Sequence, residues 1–224
     1  MKKLYLSLLS IVCVVILCGC GYSRIYDMTH SNVAECRQVM YVGKTNNLSV
    51  NLISGTREQN YVVNGYCTDS IAFGVLTFKI LTDINIDTAN YVLTIGTTRY
   101  DGILERNPYD NTYMCDVKTL INTNDVITAK IIAGEFVESV ELNNITADWN
   151  VNSDNALKLA VSELTKELKT FIENDEFKAE CYIKIVNDDE VNEMYYWYVS
   201  FVGRNGKTYA VIIDPISNEI LAKK

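Results

Sequence analysis

The feature that most constrains the fold is an alternation of apolar and polar residues with period two, recurring from residue 36 to residue 147. It is seen in Leu48, Val50 and Leu52, in Tyr61 and Val63, in Ile71, Phe73 and Val75, and in Tyr91, Leu93 and Ile95. Tyr113, Cys115 and Val117 continue it, followed by Ile127, Ala129 and Ile131 and then by Phe136, Val140 and Leu142. Successive side chains of a strand point to opposite faces, so each run reads as a half-buried strand. Polar breaks such as Thr82-Asp83 and Asn107-Pro108-Tyr109-Asp110-Asn111 separate the runs as turns. About eight strands with no helical stretch predict an antiparallel β-sandwich over residues 36–147, with an immunoglobulin-like layout as one version of it.

The period changes after residue 152. Leu157, Ala160, Val161, Leu164, Leu168, Phe171 and Ile172 recur every three or four residues, the stripe of an amphipathic helix, with Ser153 as the expected N-cap. Period two then returns in Cys181, Ile183 and Ile185, in Trp197, Val199 and Phe201, and in Tyr209, Val211 and Ile213. Asn205-Gly206 marks a tight hairpin between the last two, because both turn positions favour positive φ. The expectation for residues 152–224 is therefore a small α+β domain, one helix packed on an antiparallel meander. The chain as a whole is expected to be mainly β.

The N-terminus has a different character. Lys2 and Lys3 precede an almost wholly apolar run over residues 4–17, shorter than the roughly 20 residues that span a bilayer. The junction Leu17-Cys18-Gly19-Cys20 resembles the lipobox of bacterial lipoproteins. That resemblance implies a signal peptide over residues 1–19, cleavage before Cys20, and a diacylglycerol on its thiol. Two acyl chains hold a protein stably to a membrane where one alone is marginal. The implied location is the cell membrane, lipid-anchored and facing the extracytoplasmic side. Residues 20–35, short of aliphatic side chains, read as a tether.

The last third resembles the PepSY domain. Asn155-Ala156-Leu157-Lys158-Leu159-Ala160 is similar to that family's opening helix, and Tyr196-Trp197-Tyr198-Val199 to its aromatic strand. Ile212-Ile213-Asp214-Pro215-Ile216-Ser217-Asn218-Glu219-Ile220-Leu221 is similar to its closing pattern, with Ser217-Asn218 where the family usually carries Thr-Gly. The resemblance implies a non-catalytic module of secreted or envelope proteins that binds or restrains peptidases.

Chemistry finds little to work with. The chain has one histidine, His30, in the expected tether, so a Ser-His-Asp or Cys-His site on a rigid scaffold is not expected, and a His-rich zinc site is excluded by count. Asp83, Asn85 and Asp87 alternate like the start of a calcium loop, but Thr88 and Thr94 stand where the turn glycine and bidentate glutamate belong. Asp188, Asp189, Glu190 and Glu193 read as a solvated turn rather than an acid–base pair. No glycine spacing cradles a phosphate. The formal net charge of −8, more negative once Lys2 and Lys3 leave, argues against nucleic acid. The expectation is no catalytic residues, no metal and no cofactor.

Of seven cysteines, Cys36, Cys67, Cys115 and Cys181 remain beyond Cys20. Four cysteines in an exported chain allow three pairings, and buried thiols are the alternative. For binding, Tyr196 and Tyr198 alternate with Trp197 and are expected to face outward beside Met194. These three are the candidate contacts for an envelope protein or a peptidase. A carbohydrate- or wall-polymer-binding adhesion protein is the second reading.

Overall fold

The computed structural model describes residues 24–59, 62–83, 86–110, 112–122, 124–188 and 194–224. Cys20 and the expected signal peptide lie outside them, as do Asn85 of the calcium-like run and Asp189, Glu190 and Glu193 of the acidic turn. Contacts divide the chain into two compact units. One contains residues 37–57 and 71–149; the other contains residues 58–70 and 150–224 together with the chain up to residue 36.

The first unit is built from eight strands: β1 (Val33–Lys44), β2 (Leu48–Glu58), β3 (Ser70–Ile80), β4 (Thr88–Ile95), β5 (Thr98–Arg106), β6 (Thr112–Val117), β7 (Ile127–Ala133) and β8 (Phe136–Asn144). Their hydrogen-bonded order is β1-β2-β3-β6-β5-β4-β7-β8, and β8 pairs back onto β1 through Tyr41 with Asn144 and Val42 with Asn143. The sheet is therefore a closed antiparallel barrel. The expected two-sheet sandwich is not formed. Alternation specifies one buried face per strand, which a sandwich and a barrel satisfy equally, whereas closure removes the unpaired edges that a sandwich retains. Gly43 lies at the seam; a Cβ there would stand 2.6 Å from the Glu141 carbonyl oxygen, so only glycine permits the approach of β1 to β8.

The barrel interior is filled by side chains such as Leu48, Val50, Leu52, Leu93, Ile127 and Ile131, all 0% exposed. In β3 the facing differs from the expected Ile71-Phe73-Val75 row: Leu76 and Phe78 enter the core and Ile71 is 40% exposed. That strand is apolar on both faces, so its pattern alone cannot choose. Strand β5 escapes the alternation because it buries essentially one side chain, Leu104, and exposes Ile103.

The second unit begins with a helix, α1 (24–30), and includes α2 (Ser153–Glu163), α3 (Thr165–Leu168) and a single 3₁₀ turn at Lys169–Phe171. A short hairpin follows, β9 (Ile172–Glu173) and β10 (Glu176–Phe177), then β11 (Ala179–Asp188), β12 (Met194–Gly203), β13 (Thr208–Ile213) and β14 (Ile220–Lys223). These last four are antiparallel neighbours in sequence order.

Residues 152–224 do not form the expected self-standing α+β domain. Strand β11 is not an edge: residues 33–36 of β1 pair with it in parallel, Val33 opposite Cys181 and Cys36 opposite Ile183. Residues 58–70 belong to the same compact unit. The described part of the expected tether is folded as well, with Ile25 and Thr29 buried.

Helix α2 is capped by Asn152, whose Oδ1 accepts from the Asn155 N–H at 2.9 Å, one residue before the expected Ser153. The stripe that predicted one helix is broken at Leu164, where ψ is 15° and Thr165 Oγ1 donates to the Val161 and Ser162 carbonyls. Leu164 and Leu168 remain fully buried across the break, so packing keeps the stripe while the backbone changes pitch. Asn218 takes φ 67°, the left-handed conformation that asparagine tolerates better than most residues.

Candidate functional site

Strand pairing sorts the β11–β14 side chains onto two faces. One face carries Ile183, Ile185, Trp197, Val199, Val211 and Ile213, all buried. Trp197 is 1% exposed and its Nε1 donates to the Val151 carbonyl at 2.8 Å, which gives its one polar atom a partner.

The opposite face has two halves. In one, Tyr182, Ser200 and Ala210 lie side by side, all buried, next to Glu180. Glu180 accepts from the backbone N–H of Asn64 at 2.6 Å and of Gly65 at 2.8 Å, and from the Tyr182 hydroxyl at 2.7 Å. A buried carboxylate is expensive unless its lone pairs are used, and these three donors use them. Segment 58–70 is fixed by the same means elsewhere. Buried Glu58 accepts from the Thr68 N–H and hydroxyl at 2.8 and 2.9 Å. Asn32 donates to the Gly65, Phe177 and Ala179 carbonyls and accepts from the Cys67 N–H at 3.1 Å.

The other half of this face is open. Lys184, Tyr198, Ile212 and Ala222 follow one another across four strands, with Val186 and Tyr196 as the adjoining row. Met194 is 52% exposed, Tyr196 and Tyr198 are half-buried, and the Tyr196 hydroxyl lies 3.3 Å from the Met194 sulfur. The three expected contact residues thus share one face. Lys184 borders it, 3.4 Å from the Glu35 carboxylate.

Sequence reasoning missed a groove of about 420 Å³ whose lining includes Phe171, Glu173, Lys178, Gly203 and Arg204. A Cβ on Gly203 would meet Phe171 Cε1 at 2.7 Å, so glycine keeps it open. Each cation has its carboxylate: Arg204 lies 3.3 Å from Glu173, and Lys178 bonds Glu176 and the Tyr66 hydroxyl. The Glu176 hydrogen bond holds the Lys178 ammonium above its ordinary pKa. The groove is electrically balanced, which weakens any claim to a charged substrate.

His30 lies on α1, its Nε2 4.0 Å from Asp154 Oδ1 and its ring 5.7 Å from that of Tyr26. Asp154 also accepts from Lys158 and Tyr26, and these bonds, Lys158's first, hold its carboxyl below the usual range. The cluster joins α1 to α2. It has no activated nucleophile. Cys36 is pushed up to about 11, above all by burial, so its thiol stays protonated at neutral pH.

Cys36, Cys67, Cys115 and Cys181 are all free thiols, and burial pushes Cys67 up to about 12 and Cys181 well above its ordinary value. Among the described residues, no group of three or more His, Cys, Asp or Glu could hold a metal ion. No described helix is long and apolar enough to cross a membrane.

Comparison with family models, with curated proteins and with solved structures finds no match.

Proposed function

We propose that this chain is a lipid-anchored extracytoplasmic protein that acts without catalysis, by binding another envelope protein, a peptidase being the class its C-terminal resemblance favours. The observation that carries the reading is the open half-face of β11–β14, where Met194, Tyr196, Tyr198 and Ile212 form one aromatic, thioether and aliphatic surface bordered by Lys184. Interfaces are enriched in Tyr and Met and keep charge at the rim. The anchor is supported by the lipobox-like junction at Cys20.

The test is a photo-crosslinking residue in place of Tyr198 in the anchored protein on intact cells, with Ile103 of the barrel unit as the comparison site. The expected result is one protein captured from position 198 and not from 103, with capture lost when Tyr196→Ser and Tyr198→Ser are combined elsewhere on a folded chain bearing the crosslinker at Met194. Capture from 103 alone would overturn the reading. Capture of a wall polymer in place of a protein would put the carbohydrate-binding alternative first.

A further inference from the structure

Segment 62–66 exposes three large apolar side chains close together: Val62 is 59% exposed, Val63 47% and Tyr66 42%. Its backbone is anything but loose. The Asn64 and Gly65 N–H groups are held by buried Glu180, and the Gly65 carbonyl by buried Asn32, with Gly65 itself at φ 86°. The segment is anchored inward through polar atoms while its apolar side chains point outward, the reverse of what a merely solvated loop requires.

A chain of contacts connects this segment to the first described residue. Tyr66 bonds Lys178, whose ammonium lies 4.2 Å from the centre of the tyrosine ring, and the Arg204 guanidinium lies 5.8 Å from that centre. Lys178 and Arg204 in turn hold Glu176 and Glu173 on the β9–β10 hairpin. At the turn of that hairpin, Asp175 takes Arg24 at 2.7 Å. Arg24, the hairpin and Tyr66 therefore border one surface.

Cys20 precedes Arg24 by four residues, and a chain extends at most about 3.5 Å per residue, so the two Cα atoms lie within about 14 Å of each other. We infer that, given the lipid anchor proposed above, segment 62–66 and the β9–β10 hairpin form the surface that rests on the phospholipid bilayer. Val62 and Val63 enter the interfacial layer and Tyr66 sits at headgroup depth, where an aromatic ring with one polar end is favoured. The three cations are each matched by a carboxylate, so the contact is apolar rather than a salt-dependent attraction to anionic lipid. The acyl chains supply the attachment. The patch sets the orientation, and that orientation decides which way the candidate docking face is presented.

The experiment uses the acylated mature protein in nanodiscs of phosphatidylethanolamine and phosphatidylglycerol, with a gadolinium chelate on a fraction of the headgroups and methyl NMR as the readout. The Val62 and Val63 methyl signals should be lost in discs that carry the chelate and persist in discs that do not. Retention of the two valine signals in the discs that carry the chelate would overturn the orientation. Fatty-acid labelling separates the two proposals. If label enters Cys20→Ala as fully as the wild type, the anchor reading fails and this inference with it; if label requires Cys20 but the valine signals persist, only the orientation fails.

Discussion

The two units of this chain reach stability by different means. The barrel is closed by backbone pairing around an interior of aliphatic and aromatic side chains, with Leu48, Leu93 and Ile131 wholly out of water. The other unit gathers three distant stretches of chain and fastens them with buried polar groups, Asn32, Glu58 and Glu180, each aimed at backbone atoms of another stretch or of the 58–70 segment. Hydrophobic burial is non-directional and tolerates small shifts. Buried hydrogen bonds are directional, and losing one partner leaves the other unsatisfied at a cost of about 1–3 kcal/mol. The barrel should thus respond to lost volume, and the composite unit to lost donors and acceptors as well.

The largest effect that tests this difference is at Trp197. Trp197→Ala removes a buried ring and orphans the Val151 carbonyl, and should cost about 3–5 kcal/mol in urea denaturation. A variant that unfolds at the wild-type midpoint would show that the Trp197 face is not the core of its unit. In the barrel, Leu93→Ala should cost about 2–5 kcal/mol through volume alone, and refilling the site with methionine should restore most of it.

The third effect is one of pH. Burial raises the Cys36 thiol from its ordinary 9.0 to about 11, so the folded state keeps a proton that the unfolded chain releases. Stability from this group is complete below about pH 9 and is lost as pH rises through 11. At about 1.4 kcal/mol per unit, the loss is roughly 3 kcal/mol. Between pH 9 and 11 the stability of Cys36→Ala should fall less steeply than that of the wild type; parallel curves would contradict the assignment.

Asn32→Ala comes next, at about 1–3 kcal/mol, because the Cys67 N–H and three carbonyls lose a partner. Amide exchange at Cys67 should accelerate, and an unchanged rate would show that Asn32 does not hold the segment. The smallest effect is at the exposed Lys158–Asp154 pair, where Lys158→Ala should cost under about 1 kcal/mol and less still in high salt. A larger loss would mean that the α1–α2 junction matters more than its exposure implies.

Legibility followed the number of faces a strand buries. Runs such as Leu48-Val50-Leu52 and Ile127-Ala129-Ile131 were readable because one face is apolar and the other polar. Strand β3 was not, being apolar on both sides, and β5 was nearly invisible because Leu104 alone announces it. In the candidate site, alternation with Trp197 was enough to put Tyr196 and Tyr198 on the same side. The groove, the cluster around His30 and the segment 62–66 were not foreseeable, since they bring together residues as far apart as Tyr66 and Arg204 or His30 and Asp154.

By itself, the sequence determined the strands with one clean buried face, such as those of Leu48-Val50-Leu52 and Ile127-Ala129-Ile131, and which face of β12 holds Trp197, because these depend on periodicity over a few neighbours. Only the tertiary structure decided that eight strands close into a barrel in place of two stacked sheets, and that β11 takes residues 33–36 as a parallel neighbour. Those outcomes depend on which backbone edges meet across more than a hundred residues, and an edge's hydrogen-bonding groups are the same whatever side chains stand beside them.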